Sequence, residues 1–203
     1  MPERRALTMS ESGSRERKGN ETEILTPRLR LRPLRKRDAA ALAKLSASDP
    51  VRQNLTVGFM AAEPGAQSFV VERRSERVLI GAGGFRPMAG RAAAVEFAVC
   101  IVEAEWGSGY GTEATQALVD VAFADPRVVE VWASIRVTNV RARRVYEKCG
   151  FQPRGTGMAR ASPTSGAFPV EHIVLNRGAW SSLKAWGAGH DDAHHDQRRR
   201  ASA

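Results

Sequence analysis

The sequence predicts a mixed α/β (α+β) fold built around one β-α-β unit, and three observations predict it. Val95–Val102 is a strand-length apolar run broken only by Glu96. Ala114, Ala117, Leu118, Val121 and Ala122 then recur at helical spacing. Val129, Val131, Ala133, Ile135 and Val137 follow with period two, on one face of a further strand. A helix carried between two strands of one sheet makes a right-handed crossover, so the two strands run parallel.

The flanking elements read as follows. Arg28–Arg32 alternates Leu29 and Leu31 against arginines, a first strand with one polar, solvated face. Asp38 is placed to cap a helix carrying Ala39, Leu42, Ala43 and Leu45, which Asp49-Pro50 ends. Residues 50–66 give no regular pattern, Ala66–Arg74 reads as a short helix, and Val78–Phe85 as a strand followed by a turn near Gly90. After the β-α-β unit, Ala142, Val145, Tyr146 and Cys149 share a helical face, and Gly150 suits the left-handed end of that helix. Residues 153–167 look like a loop, Phe168–Leu175 like a last strand, and Ala179–Trp186 like a closing helical turn.

Composition bounds the rest. The 203 residues are 42% hydrophobic, enough for one folded domain, here expected over 23–186. Residues 1–22 and the His/Asp/Arg-rich 187–203 lack apolar periodicity and are expected to be disordered tails. The second tail carries His190, His194 and His195 without a scaffold to fix them, so no metal is expected. Two cysteines, both on predicted core faces, indicate neither disulfides nor a thiolate metal site. Nothing approaches a membrane span of about 20 apolar residues, and the polar start points to a cytoplasmic protein. A formal charge of +9 suits an anionic cofactor, an acidic partner or nucleic acid, or reflects an arginine-rich proteome.

Trp106-Gly107-Ser108-Gly109-Tyr110-Gly111-Thr112 stands between the central strand and helix, where a phosphate loop belongs. Glycines let successive amides turn toward one anion, and the helix N-terminus adds its positive end. A tight loop alone is the plainer reading. The dinucleotide fingerprint needs glycine where Thr112 stands, and no GxxxxGK[ST] occurs, which leaves a third type of phosphate loop.

About thirty residues on, Asn139-Val140-Arg141-Ala142-Arg143-Arg144-Val145-Tyr146-Glu147-Lys148-Cys149-Gly150-Phe151 completes a pattern. Together the two segments resemble the Gcn5-related N-acetyltransferase family. Its cofactor motif Gln/Arg-x-x-Gly-x-Gly/Ala matches Trp106–Gly111 with tryptophan at the first place, and Asn-x-x-Ala-x-x-x-Tyr-Glu-Lys-x-Gly-Phe matches Asn139–Phe151. Thr26–Leu34, Glu96–Val99 and Trp106–Ala114 look like the branch containing ribosomal-protein N-terminal acetyltransferases, and the likeness spans about residues 24–182.

The resemblance implies a V-shaped mixed sheet flanked by helices, with acetyl-CoA as co-substrate where the central parallel strands splay. Backbone groups of Val99, Cys100 and Ile101 would hold the pantetheine arm, and amides of Gly107, Ser108, Gly109, Tyr110, Gly111 and Thr112 the pyrophosphate. Asn139 would meet the cofactor or serve as a helix cap. Tyr146 would donate to the leaving sulfur or be a core residue. Some relatives carry a glutamate five residues before the asparagine; Ser134 stands there, so Glu96 becomes the candidate base, with a salt-bridged strand residue as the alternative. His172 is read as a sheet residue outside the site.

The activity implied is direct attack of a primary amine on the acetyl thioester, with a protein or peptide N-terminus as acceptor. A small-molecule amine such as a polyamine or antibiotic, and a non-catalytic acetyl-CoA-binding module, are the alternatives. Specific nucleic-acid binding finds no helix-turn-helix, zinc-finger or aromatic motif. A monomer or a homodimer is compatible with this reading.

Overall fold

The computed structural model describes residues 23–54, 65–160, 164 and 166–186. Both expected tails and most of the patternless 50–66 stretch lie outside the described residues. The chain runs β1 (Ile24–Leu25), β2 (Leu29–Pro33), a 3-10 turn (Lys36–Asp38), α1 (Ala39–Ala47), α2 (Asp49–Arg52), β3 (Gln67–Arg73), β4 (Leu79–Met88) and β5 (Arg91–Ile101). A second 3-10 turn (Glu103–Glu105) leads to α3 (Tyr110–Ala124), β6 (Glu130–Arg136), α4 (Val140–Lys148), β7 (Gln152–Ala159) and β8 (Phe168–Asn176). Residues 177–186 form a closing helix, α5.

Among the described residues, all eight strands join one mixed sheet in the order β1-β2-β3-β4-β5-β6-β8-β7. Every neighbouring pair is antiparallel except β5 and β6, which are parallel. That pair is in register at Ala94↔Glu130, Val95↔Val131 and Glu96↔Trp132. Beyond Glu96 both strands continue, to Ile101 and Arg136, without pairing with each other, and the sheet opens into a V.

One face of the sheet carries the main core, where Phe97, Val131, Ile135 and Leu175 meet Ala114, Leu118, Phe123, Tyr146 and Phe151 from the α3, α4 side. The opposite face packs Val70 and Ala82 against Leu42 of α1. This two-sided burial corrects the helix expected over 66–74. Phe69, Val70, Val71 and Glu72 are all buried because β3 is covered on both faces, which erases the period-two signature and leaves a short apolar run. Residues 153–167, expected as a loop, contain most of β7. It is an outer strand with mostly exposed Gln, Pro, Arg, Gly and Thr side chains, so its pairing with β8 leaves no apolar pattern to read.

The arginine face of β2 is not solvated as expected. Arg32 is only 5% exposed, and its guanidinium donates to both carboxylate oxygens of Asp38 at 2.8 Å and to Glu72 Oε1 at 2.8 Å. Arg30 donates to the other Glu72 oxygen at 3.0 Å. Asp38 does stand at the N-cap of α1, but its side chain does not cap the helix. It accepts from Arg32 and from the Arg35 backbone N–H at 2.9 Å. The Arg32 hydrogen bonds hold the Asp38 carboxyl below its ordinary range, with burial opposing and the Arg35 amide assisting.

A depressed folded pKa stabilises fully above the unfolded value of about 3.9 and is lost as pH falls through the folded one. Asp38→Asn is therefore expected to be less stable than wild type at neutral pH and to show a flatter stability curve below about pH 4. Urea midpoints at both pH values measure it; equal pH slopes in the two proteins would contradict the assignment.

Candidate active site

The glycine loop has two sides. Gly107 (φ +82°) and Gly109 (φ +81°, the N-cap of α3) both adopt left-handed backbone, which glycine enters without steric cost. Gly107, Gly109, Gly111 and Thr112 line a cleft of about 320 Å³, while Ser108 and Tyr110 do not. Those two are held from behind by Arg28, which donates to the Ser108 carbonyl at 2.8 Å and lies 4.7 Å over the Tyr110 ring. Arg28 Nε also donates to Glu113 in the first turn of α3 at 2.7 Å. Burial alone would raise the Glu113 carboxyl, but hydrogen bonds from Thr26 and from the Arg28 backbone and side chain outweigh it and keep the group low. The first helical bond of α3 runs from Glu113 N–H to Gly109 O, 3.1 Å. The amides of Tyr110, Gly111 and Thr112 thus precede the ladder, at the positive end of the helix.

Along β5 the backbone divides by alternation. Val102 N–H bonds Ile80 O at 2.8 Å, and Ala82↔Cys100 and Gly84↔Ala98 are in the same phase. In an antiparallel ladder the intervening residues point their polar groups the other way. The main chains of Phe97, Val99 and Ile101 therefore turn toward the gap left by β6. Of the three residues read as pantetheine partners, Val99 and Ile101 face the gap; Cys100 lines the cleft, but its main chain is committed to β4. The Ile101 carbonyl accepts from Trp106 Nε1 at 2.7 Å, which braces the loop against the strand. Arg141 lies 4.3 Å over the indole ring.

Tyr146 serves the core and the cleft at once. It is 5% exposed, with its ring edge-on to Phe97 at 6.0 Å and 5.2 Å from Phe151, and it also lines the cleft. Burial raises its phenol well above the ordinary range, with a backbone hydrogen bond from Val99 acting the other way. Asn139 likewise does two things: Oδ1 caps α4 by accepting from Ala142 N–H at 3.0 Å, and the residue lines the cleft, its amide nitrogen unused by the cap.

Glu96 occupies the last paired position before the strands part. It is not among the cleft-lining residues, and Arg86 donates to its Oε2 through two nitrogens at 2.9 and 2.7 Å. Ser134 lines the cleft and its Oγ is 3.0 Å from His172 Nδ1, so His172 touches the site only through it. Sequence reasoning missed Arg28 and Glu113, whose partners lie more than eighty residues apart. It also passed over Arg141, Arg144 and Lys148, which line the cleft from α4. Their spacing of three and four was the signal.

An amide-lined anion loop beside an unpaired strand edge suits a ligand with a pyrophosphate at one end and an extended arm. A Cβ on Gly107 would meet nothing within 4 Å, so the space before the loop is open for the anion. Alanine at Gly109 must adopt φ near +81° and displace Arg28 Nη2 from 3.2 Å. Gly109→Ala is expected to lose about 1–2 kcal/mol of stability and about tenfold or more in affinity for acetyl-CoA, the co-substrate that the sequence resemblance implies, read by thermal melts and calorimetric titration. Gly111→Ala, whose Cβ meets only Val145 at 3.6 Å, should fold as wild type does.

Fold and cleft together define a transferase of the CoA-thioester-using class. The chain belongs to the GNAT acetyltransferases: the family Acetyltransferase (GNAT) domain matches residues 28–152. It is 42% identical over 79 residues to a kanamycin resistance protein of Rhizobium radiobacter, a match covering 39% of this chain and 68% of that one. The same identity and extent relate it to aminoglycoside N(6')-acetyltransferase type 1 of Klebsiella pneumoniae, but there the match spans only 36% of the relative. Among solved structures, spermidine N-acetyltransferase from Vibrio cholerae, in complex with CoA and spermine, aligns with a TM-score of 0.65 at 18% identity, over 76% of this chain and 99% of that one. A candidate ribosomal-protein-serine acetyltransferase from Vibrio cholerae gives 0.64 at 19%, over 78% and 99%. The protein is thus a GNAT-type N-acetyltransferase that uses acetyl-CoA. Among the described residues, no helix is long and apolar enough to cross a membrane.

Proposed function

We propose that the acceptor is the primary amine of a small molecule of the aminoglycoside or polyamine class. The 42% identity to a kanamycin resistance protein carries this reading. The protein N-terminus suggested by the β2 and loop motifs has a fold neighbour in its favour, but likeness at 19% identity speaks for the fold alone.

The chain's own groups divide the work. Bound acetyl-CoA supplies the thioester carbonyl that the neutral amine attacks. The loop amides and α3 N-terminus hold the pyrophosphate, the gap-facing main chain of Val99 and Ile101 aligns the arm, and Asn139 donates its amide nitrogen beside it. Glu96, oriented by Arg86 at the apex of the V, takes the ammonium proton through water. Tyr146 faces the sulfur. A thiol near pKa ~8.5 is a far stronger acid than this raised phenol, so Tyr146 keeps its proton and donates a hydrogen bond. The proton that finally reaches the sulfur is the one the amine gave up.

Thiol release from acetyl-CoA with kanamycin, spermidine and N-terminal peptides as acceptors, with products weighed by mass spectrometry, tests the reading. Turnover of a small amine supports it. Turnover of peptides alone would overturn it in favour of the N-terminal acceptor, and acetyl-CoA binding without any turnover would favour a non-catalytic module.

A further inference from the structure

We infer that Arg144 and Lys148, continuing from Arg141 along α4, form a subsite for the 3′-phosphate of the cofactor's adenosine and make the protein select acetyl-CoA over its 3′-dephospho form. The inference deepens the cofactor assignment above and rests on it. Three observations carry it.

The first is position. Arg141, Arg144 and Lys148 stand at i, i+3 and i+7 of one helix and line the same cleft as Gly107 and Gly109. At 1.5 Å per residue the row extends about 10 Å along the helix axis. It begins at the loop, where Arg141 lies over Trp106, and leads away from it.

The second is pairing. Arg28, Arg30, Arg32, Arg73, Arg86, Arg91 and Arg127 are all engaged with carboxylates, and on α4 itself Arg143 bonds Glu171 at 2.8 Å. Arg143 does not line the cleft. Arg144 and Lys148 are exposed and have no ion-pair partner among the described residues. On α4 the arginine turned away from the cleft is thus neutralised, while Arg144 and Lys148, which line it, are left without a carboxylate partner among the described residues.

The third is charge. The amides of the loop and the α3 N-terminus already serve the pyrophosphate without a cation. The remaining anion of the cofactor is the 3′-phosphate, separated from the pyrophosphate by the ribose, and a guanidinium and an ammonium one helical turn apart present it with converging donors.

Calorimetric titration of wild type, Arg144→Gln/Lys148→Gln and Arg143→Gln with acetyl-CoA and with 3′-dephospho-acetyl-CoA tests the subsite. Wild type and Arg143→Gln are expected to bind the dephospho form about tenfold or more weakly. The double variant should bind both forms alike, at the affinity wild type has for the dephospho form, with an unchanged melting temperature. Equal binding of the two forms by wild type would overturn the subsite while leaving the cofactor assignment standing. Unchanged discrimination in the double variant would overturn the assignment to these residues. Failure of folded wild type to bind either form would overturn the cofactor assignment and the subsite with it.

Discussion

Tyr146→Phe is expected to lower kcat about 100-fold while leaving acetyl-CoA affinity within a factor of a few. The exchange keeps the ring that packs on Phe97 and Phe151 and removes only the hydroxyl, the donor proposed for the leaving sulfur. Stability should change by less than about 1.5 kcal/mol, the worth of one hydrogen bond. The pH profile separates this role from full proton donation. Burial lifts the phenol far above its ordinary value, so Tyr146 stays protonated across the accessible range and contributes no basic limb. A kcat limb near pH 10 that disappears in the variant would contradict the hydrogen-bond role, and an unchanged kcat would remove Tyr146 from the mechanism.

Arg32→Met should cost about 3–5 kcal/mol, because it leaves the buried Asp38 carboxylate without a cation and the buried Glu72 with Arg30 alone. For a domain of this size the melting temperature falls by about 6–20 °C. The pair itself need not stabilise: replacing Arg32, Asp38 and Glu72 together with apolar residues of similar volume is expected to recover most of the loss. Thermal and urea unfolding of the single and triple variants decide the matter. A single variant within 1 kcal/mol of wild type would mean that water reaches the network.

Much of the fold was legible where one face of an element is buried and the other is not. β6 shows it, with Val131, Ala133 and Ile135 buried and their neighbours half exposed, as does α3 with its Ala114, Ala117, Leu118 and Ala122 stripe. The same rule explains the failures. β3 is buried on both faces and looked helical; most of β7 is exposed on both and looked like a loop. On β2 the period was right, but its meaning was not, since alternation cannot distinguish an arginine facing water from one facing Asp38 and Glu72 across the sheet.

At the site, the loop glycines, Asn139 and Tyr146 were readable because each meets a local demand: left-handed backbone at Gly107 and Gly109, a cap at Asn139, an apolar helix face at Tyr146. Which side of the loop is the working side was not readable. Arg28 decides that from the bend before β2, and so does the phase of the β4–β5 ladder for the main chains of Val99 and Ile101. Sequence alone determined the order of elements, the central β-α-β unit and the family, because these depend on residues close together in the chain. Tertiary structure decided the parting of β5 from β6 after Glu96, the clamp behind the loop and the cations left uncompensated on α4. Those depend on pairings between distant residues, whose partners and directions are set only when the sheet closes.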